Sequence, residues 1–461
     1  MIDCNVMGSN YWLESANDSL APRPALCGPL NVDVAILGGG FSGLWTAYYL
    51  LRTCPGIDVA VLEQEICGYG ASGRNGGWIS PRYPSSVTGL IEQAGLEVAR
   101  RTQLALFDTA DEIARVCEIE GIDADYRPTG ILTIARGEAQ EALLHKSYEG
   151  YLALGLGDRN KLLSPCELQE RVKVCGAGNA LLTTAGGTSH PAKLVRGLAR
   201  AVERLGGVIY EKTAVTDILP GGRLDTAYGK VTTRKAVVAA AEAYISRLPG
   251  YRRALLPISS SIILTERLSD RQWAQIGWDD GEGLSSQALT SNYLTRTEDG
   301  RVLYGSRGVP YFFNSRIDDR ALNDEANYND MHRALLDWFP SLEGTAISHA
   351  WGGYLGIARD WSPTVTFDPQ TRIGQLFGYA GRGVATSNLA ARLLVGLITG
   401  VDTGLEFPPM FRQQSPAWEP EPLRWLGVRY VQEAFKQIDE AENNHRSPPI
   451  GARLAKSLSG M

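Results

Sequence analysis

No two cysteines of this chain stand in a C-x-x-C pattern. The seven present (Cys4, Cys27, Cys54, Cys67, Cys117, Cys166 and Cys175) are odd in number and scattered. That pattern gives neither a disulfide framework nor a zinc site, so the thiols are expected to be reduced. Histidine is scarce. His145, His190, His332, His349 and His445 show no metal-ligand spacing, and no metal is expected. No apolar run reaches the ~18 residues that a membrane-spanning helix needs. The opening stretch MIDCNVMGSNYWLES lacks the basic segment and apolar core of a secretion signal, so a cytoplasmic location is expected. A net charge of −6, with no basic run interleaved with aromatics, points away from nucleic-acid partners.

Glycine, by contrast, is plentiful, at 51 of 461 residues, and apolar residues make up 44%. That length suggests two or three lobes with full cores. Residues 32–63 read VDVAILGGGFSGLWTAYYLLRTCPGIDVAVLE. An apolar strand runs into Gly38, Gly40 and Gly43 in G-x-G-x-x-G spacing, a helix follows, and a second apolar run ends on Glu63. This is the fingerprint of a dinucleotide-binding βαβ unit. Gly38 turns the chain out of the strand, Gly40 admits a pyrophosphate, and Gly43 lets the helix lie close to the strand. The pyrophosphate is expected at the helix N-terminus, where free N–H groups and the dipole favour negative charge. Glu63 accepts ribose hydroxyls and repels a 2′-phosphate, which favours FAD or NAD over NADP. The competing reading is a glycine-rich turn in some other α/β protein.

Further along, residues 1–30 are expected over the surface and 64–82 in a glycine-rich loop. Helices are expected over about 88–122 and 139–175, with a strand at 129–136 between them. Ser189 is the expected N-cap of a helix that starts at Pro191 and stops at Gly206–Gly207. VIYEKTAVTDI reads as one strand, and VTTRKAVVAAAEAYISRLPG as two. A hairpin is expected to turn at Glu298-Asp299-Gly300, and a helix to end before Pro340. Near residue 376 a strand passes through a glycine turn into a long apolar helix. The expected fold is α/β with an α+β second lobe. A Rossmann-like FAD-binding domain (1–88, 176–250 and 345–405) carries an inserted antiparallel-sheet substrate domain (89–175 and 251–344). The tail, 406–461, holds one amphipathic helix.

Several segments match a known family: VDVAILGGGFSGLWTAYYL with VLE, GYGASGRNGG at 68–77, VVAAAEAY at 237–244, LLPISSSIILTE at 255–266, HAWGGYLGIARDWSP at 349–363 and GYAGRGVATSNLAARLL at 378–394. The chain resembles the FAD-dependent oxidoreductases of the D-amino-acid oxidase, glycine oxidase and sarcosine oxidase superfamily, and is most like the γ-glutamylputrescine oxidase branch. The resemblance implies cofactor contacts from Gly38, Gly40, Phe41, Ser42, Gly43, Glu63 and Gln64. It implies that Gly70, Ala71, Ser72, Gly73, Arg74, Asn75, Gly76 and Gly77 wrap the flavin ring. Val215 and Ala240, then Gly353, Gly381, Arg382, Gly383, Val384 and Ala385, complete the implied set. Arg382 stands where relatives often have histidine. It is open to the flavin, to substrate or to a structural ion pair.

The implied reaction is oxidation of a C–N bond, in which a neutral amine gives hydride to flavin N5 and the resulting imine is hydrolysed. The flavin carries the chemistry, so no catalytic dyad is required. Trp351, Tyr354 and Arg382 are the catalytic candidates. Trp78, Tyr304, Arg307, Trp351 and Tyr354 are the substrate candidates, since aromatic faces attract ammonium groups. Each aromatic is about equally readable as packing. Amino-acid oxidases of the superfamily commonly hold a carboxylate with an arginine eight residues before the proline matching Pro363. This chain has Leu355 there, which disfavours a simple α-amino acid unless Arg307 or Arg359 replaces the anchor. His190 and His349 are read as structural, the latter with no visible acid partner. Covalent flavin attachment in the superfamily uses a cysteine far along the chain. None follows Cys175, so non-covalent FAD is expected. The implied partners are a small-molecule amine and oxygen or another electron acceptor, with the chain a monomer or homodimer. The alternatives are a glycine- or D-amino-acid-type oxidase and, more remotely, a flavin-fold binding protein without turnover.

Overall fold

The structure, a computed structural model, describes residues 4–290, 292–405, 408–443 and 446–459, so His445 lies outside the described residues. Among these, the strands form two eight-stranded sheets and one two-stranded pair. The first sheet is built on Leu30–Leu37, which pairs in parallel with Val59–Leu62 on one side and Gly229–Ala239 on the other. Val208–Tyr210 extends it beyond Val59–Leu62, and Ile373–Phe377 beyond Gly229–Ala239, both in parallel. The central strands are buried on both faces, which is why they read as unbroken apolar runs. Helices Phe41–Thr53, Pro191–Arg204 and Gly383–Thr399 share one core with the inward residues Val34, Ile36 and Val61.

The second sheet runs in the order Ile347–Ile357, Leu256–Thr265, Val302–Arg307, Asn292–Arg296, Gly283–Ser286, Ile131–Ile134, Ala180–Thr183, Asn160–Leu163. All its pairings are antiparallel except Gly283–Ser286 with Ile131–Ile134. The expected hairpin is present, with Gly300 at φ +82° in its turn. Helix Glu325–Trp338 covers one face through Tyr328, Met331 and Leu335, and ends before Pro340 as expected.

Several boundaries differ from expectation. Ala180–Thr183 and Ile347–Ile357 pair into the second sheet, although both fall in segments assigned to the FAD-binding domain. Helix Leu96–Glu120, assigned to the substrate domain, buries Leu106, Phe107 and Ile113 in the core of the first sheet's helices. Asn160–Leu163 is a strand inside a span read as helical. Residues 231–250 form one long strand and then the 3-10 turn Glu242–Arg247. Residues 208–219 form two strands, because the chain bends at Lys212 (φ +51°), just after Glu211, whose buried carboxylate accepts the backbone N–H groups of Arg23 and Cys67. The N-cap of Pro191–Arg204 is His190, not Ser189: its Nδ1 accepts the Lys193 N–H at 3.2 Å. Among the described residues the tail holds two helices, Leu423–Asn443 and Ala452–Ser459, instead of one. The N-terminal segment does more than cover the surface, since Tyr11, Trp12 and Leu26 are buried.

Candidate functional site

The glycine turn closes on backbone. Gly38 has φ +107°, and a Cβ there would lie 2.7 Å from the Ala240 carbonyl oxygen. A Cβ on Gly43 would lie 2.0 Å from the Gly38 carbonyl oxygen and 3.1 Å from Ile36. The helix therefore approaches the strand as the spacing requires. Gly40 is the N-cap of Phe41–Thr53 and offers no side-chain cap. Instead, Ser72 Oγ accepts the Phe41 N–H at 2.9 Å and ties the 68–77 loop to the helix start. The other first-turn N–H groups have no intrahelical acceptor, which suits an anion. The Glu63 carboxylate accepts the N–H of Gly39 at 2.7 Å and of Glu65 at 2.8 Å. Burial raises its proton affinity, and these two N–H groups counter that. Each oxygen keeps a lone pair free for a hydroxyl. Gly39, absent from the sequence reading, is the residue that orients Glu63. Its place between two glycines of the motif was its only signal. Gln64 is exposed beside it, and Val215 is buried in the same sheet.

The 68–77 loop is fixed from within and without. Asn75 Nδ2 donates to the carbonyls of Ala71 and Ser72, and its Oδ1 accepts the Gly77 N–H. Arg74 Nε donates to the Tyr69 carbonyl, Nη1 reaches the Gly352 carbonyl at 3.1 Å, and the guanidinium lies 4.4 Å over the Tyr69 ring. Gly73 has no room for a Cβ, which would lie 2.2 Å from the Gly68 carbonyl oxygen. Gly70, Ala71 and Ser72 lead into this turn, and Gly76 is overlaid by Tyr293. The N-terminal segment adds two clamps that sequence reasoning missed: Trp12 Nε1 on the Asn75 carbonyl and Asn10 Nδ2 on the Gly73 carbonyl.

The other wall comes from residues 353–385. Gly353 sits beside Arg74, with 3.5 Å between a Cβ there and the Arg74 side chain. Glu242, another residue missed from sequence, holds this wall together. Its carboxylate accepts the N–H groups of Gly356 at 3.0 Å and Gly378 at 2.9 Å. Burial pushes its pKa up to about 7 against these hydrogen bonds. Ser42 Oγ meets the Tyr379 hydroxyl at 2.9 Å, linking the two glycine turns. Gly381, Arg382 and Gly383 then open the helix Gly383–Thr399, with Val384 half-buried and Ala385 buried. The Arg382 backbone N–H donates to the Tyr379 carbonyl at 2.8 Å, while its guanidinium forms no hydrogen bond or ion pair among the described residues. Its pKa falls to about 10, first through burial and then through the Arg82 charge.

The substrate candidates separate. Trp351 and Tyr354 lie three residues apart on one strand, so their side chains leave opposite faces and cannot line the same pocket. Trp351 packs with Trp12 and Ile262, and its Nε1 donates to the Arg74 carbonyl at 3.0 Å. Tyr354 packs with Val309 and Leu322, and its hydroxyl bonds the backbone of Asp318. Tyr304 is buried against Leu132 and Trp338 on the far face of the second sheet. Trp78 is half-buried, with Nε1 on Thr295 Oγ1 at 2.9 Å and Tyr293 edge-on. Arg307 donates to the Leu289 carbonyl and lies 5.7 Å over Phe435 of the tail. Arg359 pairs with Glu419 at 3.0 Å. His349 does have an acid partner, Glu14 at 3.2 Å, contrary to expectation. Among the described residues no cluster could hold a metal, and no helix is long and apolar enough to cross a membrane.

A sheet with a parallel core and this glycine turn, a ribose-ready glutamate, a clamped flavin-type loop and a mostly antiparallel second sheet define the class of FAD-binding oxidoreductases, and the donor set fits that cofactor. The chain belongs to the DAO family of FAD dependent oxidoreductases, whose profile matches residues 33–397. FAD is its cofactor. It is 32% identical to gamma-glutamylputrescine oxidoreductase of Escherichia coli over 412 residues, covering 85% of this chain and 89% of that one. It is 25% identical to glycine oxidase of Geobacillus kaustophilus over 393 residues, covering 82% and 95%. The crystal structure of glycine oxidase from Geobacillus kaustophilus superposes with a TM-score of 0.71 at 20% identity, over 84% of this chain and all of that one. L-proline dehydrogenase from P. horikoshii gives 0.67 at 18%, over 83% and 98%.

Proposed function

We propose that this protein oxidises the C–N bond of a primary or secondary amine to an imine, which water converts to a carbonyl product. The observation that carries this reading is the 32% identity to gamma-glutamylputrescine oxidoreductase, maintained over 85% of the chain. Bound FAD supplies a two-electron acceptor for the hydride that leaves the carbon bearing nitrogen. The chain's own residues do the holding. Gly40 and the first turn of Phe41–Thr53 take the pyrophosphate, Glu63 takes the ribose, and the 70–77 loop with Gly353 and Gly381–Ala385 encloses the ring. Backbone N–H groups at the start of Gly383–Thr399 meet negative charge there.

The amino-acid-oxidase alternative needs a carboxylate anchor. Arg359 is already paired with Glu419, and Arg307 is committed to Leu289, so neither supports it. The reading carries non-covalent FAD, oxygen or another acceptor as the second substrate, a monomer or homodimer, and a cytoplasmic location. An anaerobic absorption titration tests it. An amine should bleach the flavin bands without added oxidant, and acid precipitation should release the flavin into the supernatant. If no amine in a broad panel bleaches the bands, the reading fails.

A further inference from the structure

Three cofactor segments meet at Glu242. Its peptide follows Ala240 and Ala241, the backbone that a Cβ on Gly38 would strike at 2.7 and 3.3 Å. Its carboxylate reaches the other two segments. Oε1 accepts the Gly356 N–H at 3.0 Å, from the strand that carries Gly353. Oε2 accepts the Gly378 N–H at 2.9 Å, where the turn into Gly383–Thr399 begins. Tyr379, next in that turn, meets Ser42 at the start of the first helix. The backbone of Glu242 is left-handed, at φ +46°. Few residues other than glycine adopt that conformation, and it persists where the surrounding structure enforces it.

A glycine would suit this backbone and a neutral amide would suit the burial, yet neither does what the carboxylate does. Two N–H donors from separate segments need two acceptor atoms on one side chain. A glutamine offers one and sets its own N–H against the other donor. No cation pairs with Glu242 among the described residues: burial raises its proton affinity and only backbone N–H groups counter that, leaving a pKa of about 7. Tyr379 is the ionisable group that faces it, and burial together with this carboxylate pushes the Tyr379 phenol well above its ordinary value. The neighbouring strands Leu256–Thr265 and Ile373–Phe377 carry no ionisable side chain. Those of Ile347–Ile357 are turned elsewhere, His349 to Glu14 and Tyr354 to Asp318. On its own turn, Arg247 stacks on Tyr244. We infer that Glu242 is a positioning residue for the bound flavin: its carboxylate fixes the turn Gly378–Gly383 against the strand Ile347–Ile357 and keeps a negative charge behind that turn, which opposes electrons arriving on the ring. Negative charge gained by the ring in turn favours a proton on Glu242. The inference rests on the flavin placement proposed above and is independent of the amine.

The test uses the holoenzyme, reduced with dithionite in the presence of redox dyes, so no amine is needed. The variants are Glu242→Gln, which removes the charge, and Glu242→Gly, which also removes both hydrogen bonds but relaxes the left-handed backbone. At pH 8.5, where Glu242 is ionised, Glu242→Gln should raise the ratio of reduced to oxidised flavin at a fixed dye potential about tenfold, or about 30 mV for two electrons. At pH 5.5 the wild-type carboxyl already carries its proton, and the two proteins should nearly coincide. Between these limits the wild type should take up more protons per two electrons than the variant. Glu242→Gly should weaken FAD binding about tenfold or more, and Glu242→Gln, which keeps one acceptor, by less. A potential that moves equally at both pH values, or not at all, would overturn the inference. So would a Glu242→Gly protein that holds FAD as tightly as the wild type, because the residue would then only fill a left-handed position. Arg382→Met checks the placement itself and should lower the potential, since a positive charge leaves the same turn. If it shifts the flavin while the Glu242 variants do not, the inference falls and the placement stands; if none does, both fall.

Discussion

The two sheets commit different parts of the chain to the site. The parallel sheet presents mainly backbone: N–H groups at a helix start, carbonyls that leave no room for a Cβ at Gly38 or Gly43, and one carboxylate, Glu63, itself aimed by backbone N–H groups. The antiparallel sheet presents side chains, among them Tyr293, Thr133, Thr183 and Ser285. Backbone recognition demands glycine at fixed spacing and leaves a signature. Side-chain recognition accepts many residues and leaves almost none.

The largest effect is expected where the parallel sheet has no slack. Gly43→Ala places a methyl 2.0 Å from a carbonyl oxygen that belongs to the turn itself. Backbone cannot move aside as a side chain can, so the cost should exceed about 3 kcal/mol, with loss of bound flavin. Gly40→Ala meets only Ser72 Oγ, at 2.8 Å, and should keep the fold while weakening FAD. The ratio of flavin to protein absorbance and the unfolding midpoint separate the two. If both variants behave alike, the distinction between turn and cofactor approach is wrong.

A second contrast concerns His190. Its Nδ1 accepts a backbone N–H, so its Nε2 carries the proton toward Ser15 Oγ at 3.0 Å. Burial lowers its pKa from 6.5 to about 4, so the unfolded chain binds the proton more tightly. The resulting stability is full above about pH 6.5 and is lost as pH falls towards 4, by about 3 kcal/mol. His190→Asn, which can still cap the helix, should flatten that part of a stability-against-pH curve measured by urea unfolding. An unchanged slope would show that other groups set it.

On the antiparallel sheet the effects should be smaller. Trp351→Phe removes the donor to the Arg74 carbonyl and should cost about 2 kcal/mol in chemical denaturation, while amine KM stays constant. A large KM change would restore Trp351 to the pocket. Smallest is Arg359→Ala, which breaks an ion pair at the edge of the tail and should cost less than about 1 kcal/mol with unaltered kinetics.

The legible part of the site tracks this contrast. Gly38, Gly40, Gly43 and Glu63 were readable because strand, turn and helix each need a particular backbone. Trp351 and Tyr354 were misjudged as a pair because they are near in sequence yet leave opposite faces of one strand. Glu242 carried no signal: a glutamate after an alanine run looks like a surface residue until the fold buries it against Gly356 and Gly378. Ser189 is the expected cap by residue type, but His190 caps the helix, because which residue caps depends on where a side chain can reach.

By itself, the sequence determined the βαβ unit with its glycine turn and the family, because these rest on local backbone conformation that only certain residues permit. The tertiary structure alone decided the composition of the second sheet and the pinning of the 68–77 loop by Asn10 and Trp12. Asn10 and Trp12 each stand 63 positions before the loop residue they bind. Their meeting depends on how separate segments pack, and no local pattern records that.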